Sequence, residues 1–299
     1  MGNCGVGHCW DMEYSLPRRT YRTSVYDSTR WDRFGPRSDD IVISTPPKSG
    51  TTWVQRITGC LVFGSAALPG PLRKVSPWLE ARHVDVDTVL VELEAQEHRR
   101  FLKTHLPADG LPPLPCTVSY LVVFRDLRDV ALSFYHHMAT TGVHGPLPED
   151  PRVFWRAFFS GEPMGRDGGL GLERFTGHLR SWWPLRHDPG VLLLHYQNLL
   201  DDLPGEMRRV AAHLGTDIPE QLWPELVAAC RFETMRAESE LVSPTLGPGP
   251  QEAWFFHRGT SGQWRETVGG EDLELYDRAV AGALPSDLRH WLEHAGPLD

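Results

Sequence analysis

Asp40-Ile41-Val42-Ile43-Ser44-Thr45-Pro46-Pro47-Lys48-Ser49-Gly50-Thr51-Thr52-Trp53 is the stretch that decides how this chain folds. Its β-branched apolar centre reads as a short strand buried on both faces, and Pro46-Pro47 ends it, since proline cannot donate to a sheet ladder. Downstream, Trp53, Val54, Ile57 and Leu61 recur at helical spacing over Thr51–Phe63. The reading is strand, tight loop, helix. A helix N-terminus presents unpaired N–H groups and the positive end of a dipole, which together favour a phosphate-like anion. Gly50 lets backbone approach such a ligand, and Thr51 and Thr52 add hydroxyls. The order differs from G-x-x-x-x-G-K-[ST], because Lys48 precedes the glycine.

Outward from this loop the same alternation repeats. A helix is expected over residues 87–100, then a strand at 101–104; an apolar strand at 119–124, then a helix at 129–140. Residues 142–150 read as a loop, 152–160 as a short helix and 161–171 as a glycine-rich loop. Helix 172–186 precedes a buried strand at 191–196, and helices follow at 204–214 and 219–229. Residues 243–270 read as irregular, and the chain closes with helices at 273–283 and 286–294. Strands alternating with helices imply a single α/β domain whose central, mainly parallel sheet is flanked by helices. Ligands of such sheets bind at the carboxyl ends of the strands. Lys48, Lys103 with His105, Arg125 and Tyr196 all fall at strand ends, so one crevice is expected to collect them.

The 299 residues, 40% apolar and 23% charged, suffice for a substantial core. No apolar run nears the roughly 18 residues of a membrane span, the N-terminus lacks a secretion-type segment, and a cytoplasmic address is expected. Residues 1–38 are expected to form a partly mobile N-terminal segment and 39–299 the domain itself. A net charge of −9 argues against a nucleic-acid partner, since phosphate backbones bind basic faces. The five widely spaced cysteines suggest no disulfide framework. Cys4, His8 and Cys9 lack a second ligand pair at zinc-site spacing, so no metal is expected. Of 30 basic residues only Lys48, Lys74 and Lys103 are lysines, which singles each out as a compact point charge in an arginine-rich chain.

In Lys103-Thr104-His105 an extended backbone points residues i and i+2 the same way, so an ammonium and an imidazole would face one pocket. The plainer alternative is a strand-end histidine bonded to backbone. In Arg125-Asp126-Leu127-Arg128-Asp129, Arg125 is the candidate anion clamp, with Ser133 on the following helix; Asp126, Arg128 and Asp129 read as surface ion pairs. Trp78, Phe134, Tyr135, His137, Trp155, Phe158 and Phe159 are candidates for an apolar pocket, although Trp155, Phe158 and Phe159 also have the spacing of an ordinary core face.

The loop Pro46–Trp53, Lys103-Thr104-His105-Leu106-Pro107, Arg125 with Ser133-Phe134-Tyr135, and residues 256–264 together resemble the cytosolic sulfotransferase family. Pro69-Gly70-Pro71-Leu72 and Val75-Ser76-Pro77-Trp78-Leu79-Glu80 resemble its bacterial branch, which includes mycobacterial glycolipid sulfotransferases. The resemblance implies a P-loop-like phosphosulfate-binding loop and transfer of a sulfuryl group from 3′-phosphoadenosine 5′-phosphosulfate (PAPS) to an acceptor hydroxyl on an apolar alcohol, phenol or glycolipid. His105 would be the general base, with Lys48 and Lys103 at the transferring group. Lys48, Ser49, Gly50, Thr51, Thr52 and Trp53 would bind the phosphosulfate end. Arg125 and Ser133 would grip the 3′-phosphate; Trp53, Phe232 and Tyr196 would surround adenine. His257-Arg258-Gly259 departs from the family's Arg-Lys-Gly, so His257 stands where an arginine is usual, beside Arg258 and Gly259. Arg265-Glu266-Thr267-Val268 only loosely resembles the family's dimerisation motif, and no oligomeric state is implied. The alternatives are a nucleotide-binding module and a kinase-like phosphotransferase; the latter should carry the Walker order and a carboxylate for Mg²⁺.

Overall fold

The computed structural model describes residues 17–141, 147–162, 171–243 and 255–298. Four parallel strands, β1 (Ile41–Ser44), β2 (Phe101–Thr104), β3 (Ser119–Phe124) and β4 (Val191–His195), lie in the order β2-β1-β3-β4. Ile43 pairs with Lys103 and Leu121, and Phe124 with His195, so the carboxyl ends of all four strands emerge along one edge. From β1 the chain crosses to β2 on one side and then to β3 on the other. That reversal leaves a crevice above β1 and β3, where parallel sheets bind ligands.

Both faces of the sheet are covered because its strands are apolar on both. Val42, Leu102, Val122 and Phe124 face a cluster with helices α2 (Leu127–Thr141), α3 (Pro151–Ser160), α4 (Leu172–Trp182), α6 (Gly270–Ala281) and α7 (Ser286–His294). Ile41, Ile43, Leu121, Val123 and Leu194 face the other way, against α1 (Thr51–Phe63) and α5 (Leu203–Leu214). Tyr26 and Trp31 are buried in the first cluster, tying residues 17–38 to the core. Trp155, Phe158 and Phe159 are fully buried there as well, on the apolar stripe of α3. At the base of the sheet Arg100 forks onto Asp40 at 2.7 and 2.6 Å, an ion pair closed off from solvent.

Several boundaries differ from expectation. The helix read over 87–100 is Val86–Glu94, because Arg99 and Arg100 must extend to reach Asp39 and Asp40. Tyr196 is not the end of a strand; it opens the helix Tyr196–Asp201, whose N-terminus is capped by the His195 side chain. Helix 172–186 ends as a 3₁₀ turn, Trp183–Leu185, and 219–229 becomes Glu220–Leu222 followed by Trp223–Ala229. Within the stretch read as irregular, Trp264–Thr267 forms one helical turn. The mobility expected of residues 1–16, and parts of the loops at 142–150, 161–171 and 243–270, lie outside the described residues. No helix among the described residues is long and apolar enough to cross a membrane.

Candidate active site

The loop after β1 is built around two left-handed residues. Gly50 at the N-cap of α1 has φ 112°, and a Cβ there would approach the Tyr196 ring to 3.0 Å. Lys48 has φ 66°, a conformation that costs a residue with a Cβ about 1–2 kcal/mol. It persists where surrounding contacts over-determine it, and such strain gathers at functional sites. Here Arg125 holds the strained carbonyl, donating from Nη1 to Lys48 O at 3.3 Å. The Lys48 ammonium lies 4.9 Å from the Phe255 ring centre. Burial, with Arg125 and Lys103 nearby, pulls its pKa down to about 8.

The second group sits at the end of β2. His105 Nδ1 is 2.8 Å from Thr45 O. A carbonyl only accepts, so Nδ1 carries the proton and Nε2 keeps its lone pair. Burial and then Lys103 hold the imidazole pKa well below its usual range, so the ring is neutral at physiological pH. The Lys103 ammonium, 5% exposed, lies over the Trp78 ring at 4.6 Å, and Trp78 meets His105 edge-on at 5.0 Å. Burial brings Lys103 to about 8, opposed by the negative charge of Glu80.

Glu80 is the main residue that sequence reasoning misses. Wholly buried, it accepts from Thr104 Oγ1 at 2.7 Å, from the His105 backbone N–H at 2.8 Å and from Trp31 Nε1 at 2.9 Å. Its carboxylate therefore fixes the strand end that carries His105 and ties it to residue 31. In the sequence it closes a six-residue likeness to the bacterial branch and carries no local sign of this role.

Arg125 follows β3 with 6% exposure, stacked over Tyr196 at 4.2 Å and donating to Thr260 O at 2.9 Å. Its Nε has no protein partner. Asp126, Arg128 and Asp129 correct the sequence reading, since they are not surface pairs. Asp129, 2% exposed, accepts from the backbone N–H groups of Gly262 and Trp264 at 2.7 and 3.3 Å, anchoring the C-terminal segment over the site. Asp126 binds Arg128, whose guanidinium stacks on Trp264 at 4.2 Å. These ion pairs hold backbone, which an exposed pair would not. The anchored segment sets Gly259 (φ 67°) against Phe232, where a Cβ would fall 2.2 Å from the ring. On the far side Trp53 donates to Cys230 O at 2.7 Å and meets Tyr196 edge-on at 5.4 Å.

One cavity of about 320 Å³ collects these groups. Lys48, Gly50, Thr51, Thr52, Trp53, Lys103, His105, Arg125, Ser133, Tyr196, Phe232, His257, Arg258 and Gly259 all line it. Ser49 does not; its side chain is buried beneath the loop, its hydroxyl without a partner. Arg258 reaches the rim, paired with Glu266 at 2.7 Å. Of the expected aromatic pocket, Trp78, Phe134 and His137 line the cavity, whereas Tyr135 turns its hydroxyl to Pro148 O. Arg174 lines it too, behind a glycine-rich stretch that gives no reason to single it out. Chemically, the cavity offers cations for a multiply charged anion at one end and a neutral, oriented imidazole beside a lysine at the other.

Comparison with known proteins identifies the family and the fold. The sulfotransferase domain family matches residues 38–287. A glycolipid sulfotransferase of Mycobacterium bovis is 35% identical over 92% of this chain and 94% of the relative. Sulfotransferase 1A1 of the dog is 30% identical over 83% and 84%. Among solved structures, mouse sulfotransferase SULT7A1 complexed with PAP superposes with a TM-score of 0.68 at 21% identity, covering 92% of this chain and 97% of that one. Retinol dehydratase in complex with androsterone and the inactive cofactor PAP gives 0.67 at 22% identity, with 87% coverage of each chain.

Proposed function

The chain belongs to the sulfotransferase family, and from that premise we propose that it transfers a sulfuryl group from PAPS to a hydroxyl acceptor. The observation that carries the reading is His105, neutral and with Nδ1 pinned to Thr45 O, in the same cavity as Lys103 and Lys48. The residues present fit the nucleotide. Arg125 keeps a buried, unpartnered Nε, Gly50 and Gly259 lie so close to the Tyr196 and Phe232 rings that a Cβ would push those rings aside, and Trp53, Tyr196 and Phe232 line the same cavity.

PAPS supplies an activated sulfuryl group on a good leaving phosphate. His105 Nε2 accepts the acceptor proton as the hydroxyl oxygen bonds to sulfur and the sulfur–oxygen bond to phosphate breaks. Lys48 and the N–H groups at the start of α1 stabilise charge growing on that phosphate oxygen, already aimed and needing no reorganisation. Lys103 balances the sulfuryl oxygens. Arg125, Ser133, His257 and Arg258 hold the 3′-phosphate, and adenosine 3′,5′-bisphosphate leaves. No metal takes part in this scheme. Trp78, Phe134 and Val25 give the acceptor end an apolar wall, with His137 and Arg174 adding polar groups, as suits a phenol, an apolar alcohol or a glycolipid.

Nucleotide binding should depend on pH. Binding an anion requires charged lysines, and both pKa values near 8 mean that charge is lost as pH rises through that range, well before an ordinary lysine near 10.5. Affinity for adenosine 3′,5′-bisphosphate, measured by calorimetry, should therefore fall between about pH 7.5 and 9. Constant affinity across that interval would contradict it. In Gly259→Ala the new methyl must displace Phe232 from its place in the cavity wall. Losing an aromatic partner of a base costs about 1–3 kcal/mol, so the same titration should show binding weakened by about tenfold or more. Unchanged affinity would place adenine elsewhere. The reading as a whole is tested by binding: adenosine 3′,5′-bisphosphate should bind without Mg²⁺ and ATP with Mg²⁺ should not compete, whereas the reverse preference would point to a phosphotransferase.

A further inference from the structure

Helix α2 turns Ser133, His136, His137 and Thr140 toward the cavity, an i, i+3, i+4, i+7 stripe. The His136 ring lies on the His257 ring with centroids 4.0 Å apart and planes 24° from parallel. Both line the nucleotide end of the cavity, alongside Lys48, Ser133 and Arg258. From these positions we infer that His136 and His257 act together as a paired-imidazole clamp for a phosphate monoester, taking up one shared proton when it binds. The inference rests on the nucleotide reading above and adds His136 to the groups that hold the 3′-phosphate.

The groups around the pair explain why it is neutral when the protein is free. Burial comes first for both; with His257 next and then Arg258 and Lys48 it brings His136 to about 4, and with Arg258 and Lys48 it holds His257 below its usual range. The Gln263 side chain hydrogen-bonds His257, the Tyr135 ring meets His136 edge-on at 5.4 Å, and Glu266 draws the Arg258 guanidinium toward the rim. Two imidazolium rings at 4.0 Å would repel strongly. One imidazolium over the face of a neutral ring is instead a favourable cation–π contact, so the pair accepts one proton and not two. A dianionic phosphate monoester offsets the field of Lys48 and Arg258 and offers that proton a charge-assisted hydrogen bond.

The test is calorimetric titration of adenosine 3′,5′-bisphosphate at pH 6.5–7 in buffers of different ionisation enthalpy, which counts protons exchanged on binding. Lys48 and Lys103 are already largely charged there, and protons released by the nucleotide phosphate are common to all variants. The wild type should take up roughly half to one proton more than His136→Asn and also more than His257→Asn. Each variant should bind about tenfold more weakly at pH 6.5, the usual effect of losing a charged hydrogen bond. Because the rings act as one unit, the double variant should bind no more weakly than either single one. Equal proton uptake in all four proteins would overturn the clamp, and so would loss of uptake in His257→Asn alone, which would leave His136 a bystander. Absence of any binding by the wild type would instead overturn the nucleotide reading, and the clamp with it.

Discussion

His105→Ala should lower kcat by about 10²–10⁴-fold, the range typical of losing a general base, while leaving affinity for adenosine 3′,5′-bisphosphate within about twofold of wild type. Two features separate these effects. The imidazole Nδ1 is committed to Thr45 O, so Nε2 is the atom available to an acceptor hydroxyl. Its backbone is held independently by Glu80 through a 2.8 Å bond from its N–H, so truncating the ring leaves the strand end in place. The pH profile offers a second check. With its pKa well below the usual histidine range, His105 stays unprotonated under mildly acidic conditions, and kcat/KM for the acceptor, measured at saturating PAPS, should hold its plateau below pH 6.5. Near-normal turnover in His105→Ala would assign proton removal to another group.

Lys48→Met should cost about 10²–10³-fold in kcat/KM, the usual effect of removing one preorganised donor from a developing oxyanion. Lys48→Arg should recover little of it. A guanidinium is a wide planar fork, and the Lys48 side chain starts from a left-handed backbone position already held by Arg125 and ends beside Phe255. The loss should fall mainly on turnover, because the charge it meets grows as the bond to phosphate breaks. If Lys48→Arg turned over normally, the position would be supplying general charge and not an aimed donor.

Much of this is legible from the strand-end residues alone. Ile41, Val42 and Ile43 before a proline pair announce a strand buried on two faces, and the spacing from Trp53 to Leu61 announces the helix beyond the loop, since both signals are local. The helix read at 129–140, which runs Leu127–Thr141, and the strands that carry Lys103 and lead into Arg125 are legible for the same reason. Tyr196 reads as strand because its side chain continues an apolar run. Whether it extends that run or opens a helix depends on His195 capping it, a hydrogen bond that apolar spacing does not report. Asp129 misleads for a related reason. Preceded by Arg125 and Arg128, it looks like a surface charge until residues 262 and 264 fold over it and bring their N–H groups. Glu80 joins donors 24, 25 and 49 residues away in sequence, which no spacing rule anticipates. Polar groups whose partners are distant in the chain are thus where local reading stops, and they are the groups that hold the side chains of the candidate site in place.

The most direct measurement of the central claim traces labelled sulfur. The protein is incubated with sulfur-labelled PAPS and a simple phenol, a long-chain alcohol or a glycolipid, alongside a parallel reaction supplied with ATP and Mg²⁺. The predicted result is a labelled sulfate ester of at least one acceptor, formed in step with adenosine 3′,5′-bisphosphate and abolished in His105→Ala, with no phosphorylated product from ATP. Phosphoryl transfer from ATP, or PAPS that binds yet passes its label to no hydroxyl, would contradict it.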